Sequence, residues 1–417
     1  MTAGASNPGR SRGPSTLLLV STLVLTSLNL RAAVTSVGPV LREVQTSLGM
    51  SDTVAGLLTS LPVLCFGAVG LVAARIGRRV GTDRALVVSL VVITLGLVVR
   101  ALAPTVGWLL VTSVLALTGM AIGNVLGPVV IKAWFPGQVG RYTGIYSVSV
   151  VLGTAVPVAV TVPIADALGG WRFGLGVWAI PAAVALLPWL LLLRRGPVAA
   201  PSPPMTAGGS PLAAQIRRDP RAWGLMVFFG VQSLEAYVVM GWFPTILQDA
   251  GLSASSAGWT ASLTLVLSVL VAMVVPSLAT RFPDQRPWVV GLTGASVTAY
   301  LGLLLAPGAL SLLWAILLGI GLGAFPLAIL LIGLRAATPR GTSELSGFVQ
   351  GYGYLLAAMG PFGVGLLRDL TGGWEVPLGA LLVVIVPKLI GGLIACADGV
   401  VDADRGGSGE ATATSAR

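Results

Sequence analysis

Residues 49–60 read GMSDTVAGLLTS, and residues 251–262 read GLSASSAGWTAS. Gly49, Ser51, Ala55, Gly56 and Ser60 recur as Gly251, Ser253, Ala257, Gly258 and Ser262, at an offset of 202. The likeness extends outward on both sides. Before it, Pro39 corresponds to Pro244 once three loop residues are skipped. After it, Lys132, Pro136 and Gly144 fall on Arg335, Pro339 and Gly347 at an offset of 203. A near-constant offset over such a length marks an internal repeat rather than chance matches among Gly- and Ala-rich segments.

The repeated segments sit in apolar surroundings. Of 417 residues, 55% are apolar and only 10% charged, and the mean hydropathy is +0.91. A soluble domain carries about 25% charged residues. With so few, this chain could not cover a water-facing surface, so its long apolar runs read as membrane spans. Twelve such runs are expected: 17–41, 53–75, 85–103, 108–133, 142–166, 173–193, 222–247, 257–280, 288–306, 309–334, 344–367 and 376–396. About 20 helical residues cross the hydrocarbon core, so each is long enough. Pro104 and Gly107, Pro136 and Gly137, Gly169 and Gly170, and Gly372 and Gly373 punctuate the turns between them. The first run is too long for a cleaved leader and reads as a retained helix.

The net charge of +10 does not indicate a nucleic-acid partner, because the basic residues fall in short loops between spans. With the N-terminus placed in the cytoplasm, seventeen Lys and Arg lie on the inner side. Four, Arg42, Arg100, Arg172 and Arg368, lie on the outer side. That bias predicts cytoplasmic N- and C-termini and an even number of spans. The expected organisation is a tail over 1–16, a six-helix bundle over 17–193, and a cytoplasmic linker over 194–221. A second six-helix bundle over 222–396 and a disordered tail over 397–417 complete it. The fold class is therefore an all-α membrane protein of twelve helices in two related bundles, consistent with parallel repeats about an axis along the membrane normal.

Several exclusions follow. The chain has no histidine, and Cys65 and Cys396 both lie inside apolar runs, so neither a metal site nor a disulfide framework is expected. No phosphate-binding G-x-x-x-x-G-K-[ST] stretch occurs, so ATP does not drive it directly. No cofactor and no enzymatic activity are expected.

Charges at membrane depth are costly; an Arg at a helix centre costs roughly 2.5–3.5 kcal/mol on insertion scales, and so marks a functional candidate. Arg31 lies near the middle of the first run. Its planar fork suits an anionic or acceptor-rich ligand, although a structural ion pair between helices would also explain it. Glu235, at the corresponding depth of the seventh run, reads three ways. It is a substrate and proton-coupling candidate, the counter-ion of Arg31, or a contact to another helix. Gln232 shares its face.

Several segments resemble the cyanate/nitroimidazole transporter branch of the major facilitator superfamily. These are LNLRAAVTSVGPVL at 28–41, GLLTSLPVLCFG at 56–67, GNVLGPVVIKAWFP at 123–136 and GIYSVSVVLGTA at 144–155. VQSLEAYVVMGWFPTIL at 231–247 and GYLLAAMGPFGVGLLRDLTGGW at 353–374 continue the likeness. One departure stands out. The superfamily's loop pattern Gly-x-x-x-Asp-Arg-x-Gly-Arg-Arg reads VAARIGRRVGTDR at 72–84. Gly77, Arg78 and Arg79 fit, but the first Gly and the Asp are missing.

The resemblance implies that Asn124, Tyr146, Gln350 and Tyr354 lie on cavity-lining helices, as substrate-binding candidates beside Arg31, Gln232, Glu235 and Tyr237. Each reads equally as an interhelical hydrogen bond. Tyr237 and Trp242 suit stacking on a flat ring, and Trp242 also suits an interfacial anchor. Arg78, Arg79, Lys132 and Arg335 are gating or topology candidates, and Lys388 is expected to snorkel from a peripheral helix. The implied function is secondary transport of a small solute across the bacterial inner membrane by alternating access, possible proton coupling included. The solute is a small anion such as cyanate or a small aromatic compound. A broader drug exporter, a channel, and a membrane sensor or enzyme without flux are the alternatives. The expected partners are the lipid bilayer and a small-molecule substrate, with the protein acting as a monomer.

Overall fold

The computed structural model describes residues 15–194 and 211–402, without the side chains of residues 70–75, 78, 140, 211, 339, 340 and 343. Among them the secondary structure is entirely helical. Span 1 is built from three pieces, Thr16–Leu28, Ala32–Thr35 and Val37–Leu48. Spans 2 to 5 are Asp52–Val80, Thr82–Ala101, Val106–Trp134 and Val139–Leu168. Span 6 is Trp171–Gly176 continued by Ala179–Leu193. After a short helix, Pro211–Ile216, come spans 7, 8 and 9: Pro220–Asp249, Ala254–Ala279 and Arg286–Leu305. Span 10 is Ser311–Gly321 continued by Ala324–Leu334, and spans 11 and 12 are Pro339–Thr371 and Glu375–Ala395.

Eleven of these are long and apolar enough to cross a bilayer on their own composition. The exception is span 11. It packs along span 7 and span 2, between the two halves. A helix held by protein on much of its surface needs a less apolar sequence than one ringed by lipid, so it carries Ser, Gln, Tyr and Arg side chains.

Each of the five residues that recur between 49–60 and 251–262 has the same structural task in both halves. Gly49 and Gly251 end the preceding helix with positive φ, at 62° and 98°, where a Cβ would be strained. Ser51 and Ser253 cap the next helix, accepting from the amides of Val54 and Ser256. Ala55 and Ala257 are fully buried. A Cβ on Gly56 would stand 2.6 Å from the Pro361 carbonyl oxygen, and one on Gly258 would stand 2.8 Å from that of Val158. Ser60 donates to the Ala358 carbonyl at 2.8 Å, and Ser262 donates to that of Ala155 at 2.9 Å. The partners obey the repeat too: 361 less 158 and 358 less 155 are both 203. Span 2 therefore crosses span 11 as span 8 crosses span 5, and these two crossings join the halves.

The C-terminal end differs from expectation in one place. Of the proposed tail, residues 397–402 are folded back on the second bundle. The Asp402 carboxylate accepts from the amides of Ala337 and Thr338, and the Val401 amide donates to the Arg335 carbonyl. Residues 1–14, 195–210 and 403–417, which carry most of the proposed tails and linker, lie outside the described residues.

Candidate functional site

Span 1 breaks at Asn29–Arg31, and the local sequence causes the break. Thr22, Thr26, Ser27 and Asn29 all turn their side chains back to carbonyls four residues earlier, at 2.6–2.8 Å. Such back-bonding competes with the helix ladder and bends it. The helix leaves its path after Leu28 and resumes at Ala32. Neighbouring helices supply partners there, as broken backbone at membrane depth requires. Asn124 of span 4 donates to the Leu30 carbonyl at 3.4 Å and Arg100 of span 3 donates to that of Ala33 at 2.8 Å. Span 5 reaches the break at Gly153, where a Cβ would lie 2.0 Å from the Leu28 carbonyl oxygen.

Arg31 sits at this break with non-helical backbone, φ −134° and ψ −14°. Its Nη1 donates to the Tyr237 hydroxyl at 3.1 Å, and its guanidinium lies 5.1 Å from the centre of the Phe66 ring. It faces a cavity of about 700 Å³ between the two halves, lined also by Asn124, Tyr146, Gln232, Tyr237 and Tyr354. Six of the eight substrate candidates thus converge. Gly127 makes room for the Tyr146 ring, since a Cβ there would come within 2.7 Å of it. The Tyr354 ring meets Phe229 edge-on at 5.2 Å between centres. Gln232 Nε2 donates to Ser233 Oγ while its Oε1 has no partner. Arg31 is the single charged side chain among the described lining residues.

The cavity is open at the end where span 5 begins and span 8 finishes: Thr143, Gly144 and Met273 line it there and are exposed. That is also the end holding the described chain termini. The opposite end is closed by bonds across the halves. Arg368 of span 11 contacts Asp52 of span 2 across the halves at 3.1 Å, and Asp249 of span 7 within its own half at 2.6 Å. Arg42 of span 1 meets Asp249 at 2.9 Å. Asp369 accepts from the amides of Asp52 and Thr53 at 2.9 and 2.7 Å, and from the Thr53 hydroxyl. A carboxylate at a helix N-terminus is favoured by the unpaired amides and the helix dipole.

Two substrate candidates lie elsewhere. Gln350 donates to Ser346 on its own helix at 2.7 Å and does not line the cavity. Glu235 points to the other side of span 7 and pairs with Lys388 of span 12, with Ser296 of span 9 at 3.4 Å from the same ammonium. It is neither the counter-ion of Arg31 nor part of the cavity lining. Lys388 is fully buried rather than snorkelling. Trp242 does not line the cavity and is not an interfacial anchor: it is buried and donates to the Pro361 carbonyl at 3.0 Å. Of the gating candidates, Arg79 and Lys132 are exposed at helix ends, and the side chain of Arg78 lies outside the described residues. Arg335 is buried and caps span 12, donating to the carbonyls of Ala395 and Cys396 at 2.8 and 3.0 Å. Its repeat partner Lys132 has no such burial, so the two equivalent positions serve different purposes.

Sequence reading missed the closing network and Phe66. Arg42 and Arg368 read only as outer-side charges, and the acids Asp52, Asp249 and Asp369 sit at span ends, where loop charges are ordinary. Their regular placement at one end was the available signal.

The comparisons with known proteins bear on the family and the fold. The profile of the Major Facilitator Superfamily matches residues 23–361. The chain is 36% identical to the uncharacterized transporter YycB of Bacillus subtilis (strain 168), covering 88% of this chain and 90% of that one. It is 32% identical to the 2-nitroimidazole transporter of Escherichia coli (strain K12), covering 95% and 99%. It is also 32% identical to the cyanate transport protein CynX of the same organism, covering 86% and 91%. Among solved structures, the nucleoside transporter NupG superposes with a TM-score of 0.75 at 12% identity, covering 91% of this chain and 99% of that one. An inward-facing, unoccupied bacterial homologue of the lysosomal transporter Spinster superposes with a TM-score of 0.71 at 18% identity, covering 94% and 97%. With a profile matched over most of its length and relatives of this identity along nearly the whole chain, the protein belongs to the major facilitator superfamily and is a multi-pass membrane transporter, not an enzyme.

Proposed function

We propose that this transporter carries a small acceptor-rich solute, an anion or a planar electron-poor ring, through the cavity that Arg31 faces. The observation behind the reading is the lining itself: one guanidinium, three phenols, two amides and no carboxylate among the described residues. An arginine fork held by a neutral hydroxyl keeps donors free for a carboxylate, cyanate or nitro group. The relatives named for cyanate and 2-nitroimidazole carry the same chemistry in their substrates. The six-plus-six repeat supports alternating access about the midplane site. We place both termini in the cytoplasm, on the charge bias of the loops, in the plasma membrane of a bacterium, with a monomer as the working unit.

A second reading, a drug exporter of broader range, is favoured by one observation. A cavity of about 700 Å³ with mainly apolar walls is drug-sized and far larger than cyanate. Uptake of labelled cyanate and of 2-nitroimidazole into proteoliposomes, with and without a pH gradient, separates the readings and tests coupling. Arg31→Ala should abolish flux of either solute while the protein still inserts. Unchanged flux in that variant would remove the site.

A further inference from the structure

Arg100 looks from the sequence like a loop charge, but only 1% of it is exposed, in the last turn of span 3. Its Nη1 donates to the Ala33 carbonyl and its Nη2 to Ser36 Oγ at 3.3 Å. No ion pair is formed by it among the described residues. Its Nε has no hydrogen-bond partner, and neither does Ser113 Oγ of span 4. Both residues line a second cavity of about 10 Å³, the size of one water.

This small cavity lies beyond Arg31, toward the closed end, and the division of its walls matters. Arg100, Ser113 and the span 1 and span 2 walls belong to the first half. Tyr237, Met240 and Gly241 of span 7 belong to the second. Tyr237 and Met240 also line the large cavity, so they form the partition between the two spaces. When the halves rock to open the closed end, Arg100 keeps Ala33 and Ser36, which move with it. The span 7 wall withdraws. The surface so uncovered carries one unpaired guanidinium edge and one hydroxyl.

We propose that Arg100 and Ser113 form a second anion subsite, which joins the transport cavity only in the state open at the end opposite the chain termini. An acceptor-rich solute there meets two guanidinium groups, Arg31 and Arg100, whereas at the other face it meets Arg31 alone. The subsite rests on the reading of the transported solute as acceptor-rich.

The test needs a readout that does not depend on knowing the solute. In a background with Cys65→Ser and Cys396→Ala, Ser113→Cys is the reporter, and Thr59→Cys, from the same cavity wall, is the second reporter should the first misfold. Membrane-impermeant methanethiosulfonates bearing a sulfonate or a trimethylammonium group are applied to right-side-out and inverted vesicles. The thiol should react from the face bearing residues 102–105 only. The sulfonate should outpace the ammonium reagent by about tenfold or more, relative to a free thiol, because a buried cation concentrates anions. Arg100→Lys should keep that preference and Arg100→Gln should lose it. Absence of labelling from that face, or labelling without charge preference, overturns the subsite. In parallel, cyanate KM is measured from each face: Arg100→Gln should raise it from the same face alone, and Arg31→Lys from both. If the wild type carries no cyanate, the functional reading falls for that solute, and the labelling result still decides the subsite.

Discussion

Glu235 on span 7 is paired with Lys388 on span 12, not with Arg31 on span 1. The pair lies inside the second bundle, and Glu235 Oε1 and the Tyr300 hydroxyl have no hydrogen-bond partner. Gln232 and Tyr237, within one turn of Glu235 on the same helix, face the cavity. The ion pair therefore fixes the rotation of span 7 that presents those two side chains. Leaving one buried charge alone costs roughly 3–5 kcal/mol, while replacing both by apolar groups can be neutral. Glu235→Leu or Lys388→Met alone should sharply lower the thermal midpoint in detergent, and the double variant should recover most of it. A loss in the double variant equal to the sum of the two single losses would mean that the pair is not coupled.

Arg31 is held by the Tyr237 hydroxyl, a neutral acceptor. Tyr237→Phe removes one hydrogen bond to a charged group, worth about 1.5–3 kcal/mol. The guanidinium remains, so the effect should appear as a KM raised about tenfold with a maximal rate changed much less. Arg31→Lys keeps charge without the fork and should be weaker still. A Tyr237→Phe variant with wild-type KM would show that the hydroxyl does not orient Arg31.

The closed end depends on partly exposed charges. Individual surface ion pairs contribute only about 0.2–1 kcal/mol, so no one of them should be decisive. Asp369, with three hydrogen bonds onto the start of span 2, should matter more than Arg42, whose side chain is 58% exposed. Asp369→Ala should shift the population toward opening at that end, and Arg42→Ala much less. Gly38→Val should act in the same direction as Asp369→Ala, because a Cβ there would stand 2.4 Å from the Met240 carbonyl oxygen across the halves. Spin-label distances between spans 1 and 7 at that end provide the measurement. Unaltered distance distributions in Asp369→Ala and Gly38→Val would reject the assignment.

Asp402 clamps the start of span 11 from outside the membrane. Partial burial pushes its carboxyl up. Hydrogen bonds from the Ala337 amide and from the hydroxyl and amide of Thr338 outweigh this and hold it below the usual carboxylate value of 3.8. A depressed value means that the clamp is intact above pH 3.8 and weakens only as the pH falls through the lower, folded value. Hydrogen exchange at Ala337 and Thr338 should therefore show the same protection from about pH 5 to 8, after correction for intrinsic rates. Asp402→Asn should raise exchange across that whole range. Protection that fades between pH 7 and 5 would contradict the clamp.

The fold was legible because its causes are local or periodic. Apolar runs of membrane length, loop charges and a repeat at offsets of 202 and 203 are all sequence properties. Gly49, Ser51, Ala55, Gly56 and Ser60 were readable as a repeat, though not as the contacts they make with span 11. The candidate site was half legible. Arg31 drew attention because charge at membrane depth is costly whatever surrounds it. Glu235 drew the same attention for the same reason, and the inference failed at the next step, since cost says nothing of direction. One helical residue is turned about 100° from the next, so Glu235 and Ala236 face different neighbours.

What the sequence by itself determined is the solvent, the number of spans, the duplication and the presence of costly charges, because each follows from composition or from spacing along the chain. What only the tertiary structure decided is partnership. Arg31 turns to Tyr237, Glu235 to Lys388, Arg100 to the broken backbone of span 1 and Arg368 to two acids from different halves. These contacts join residues far apart in sequence. They depend on helix rotation and crossing, which are set by the packing of all the spans together and by no single stretch of chain.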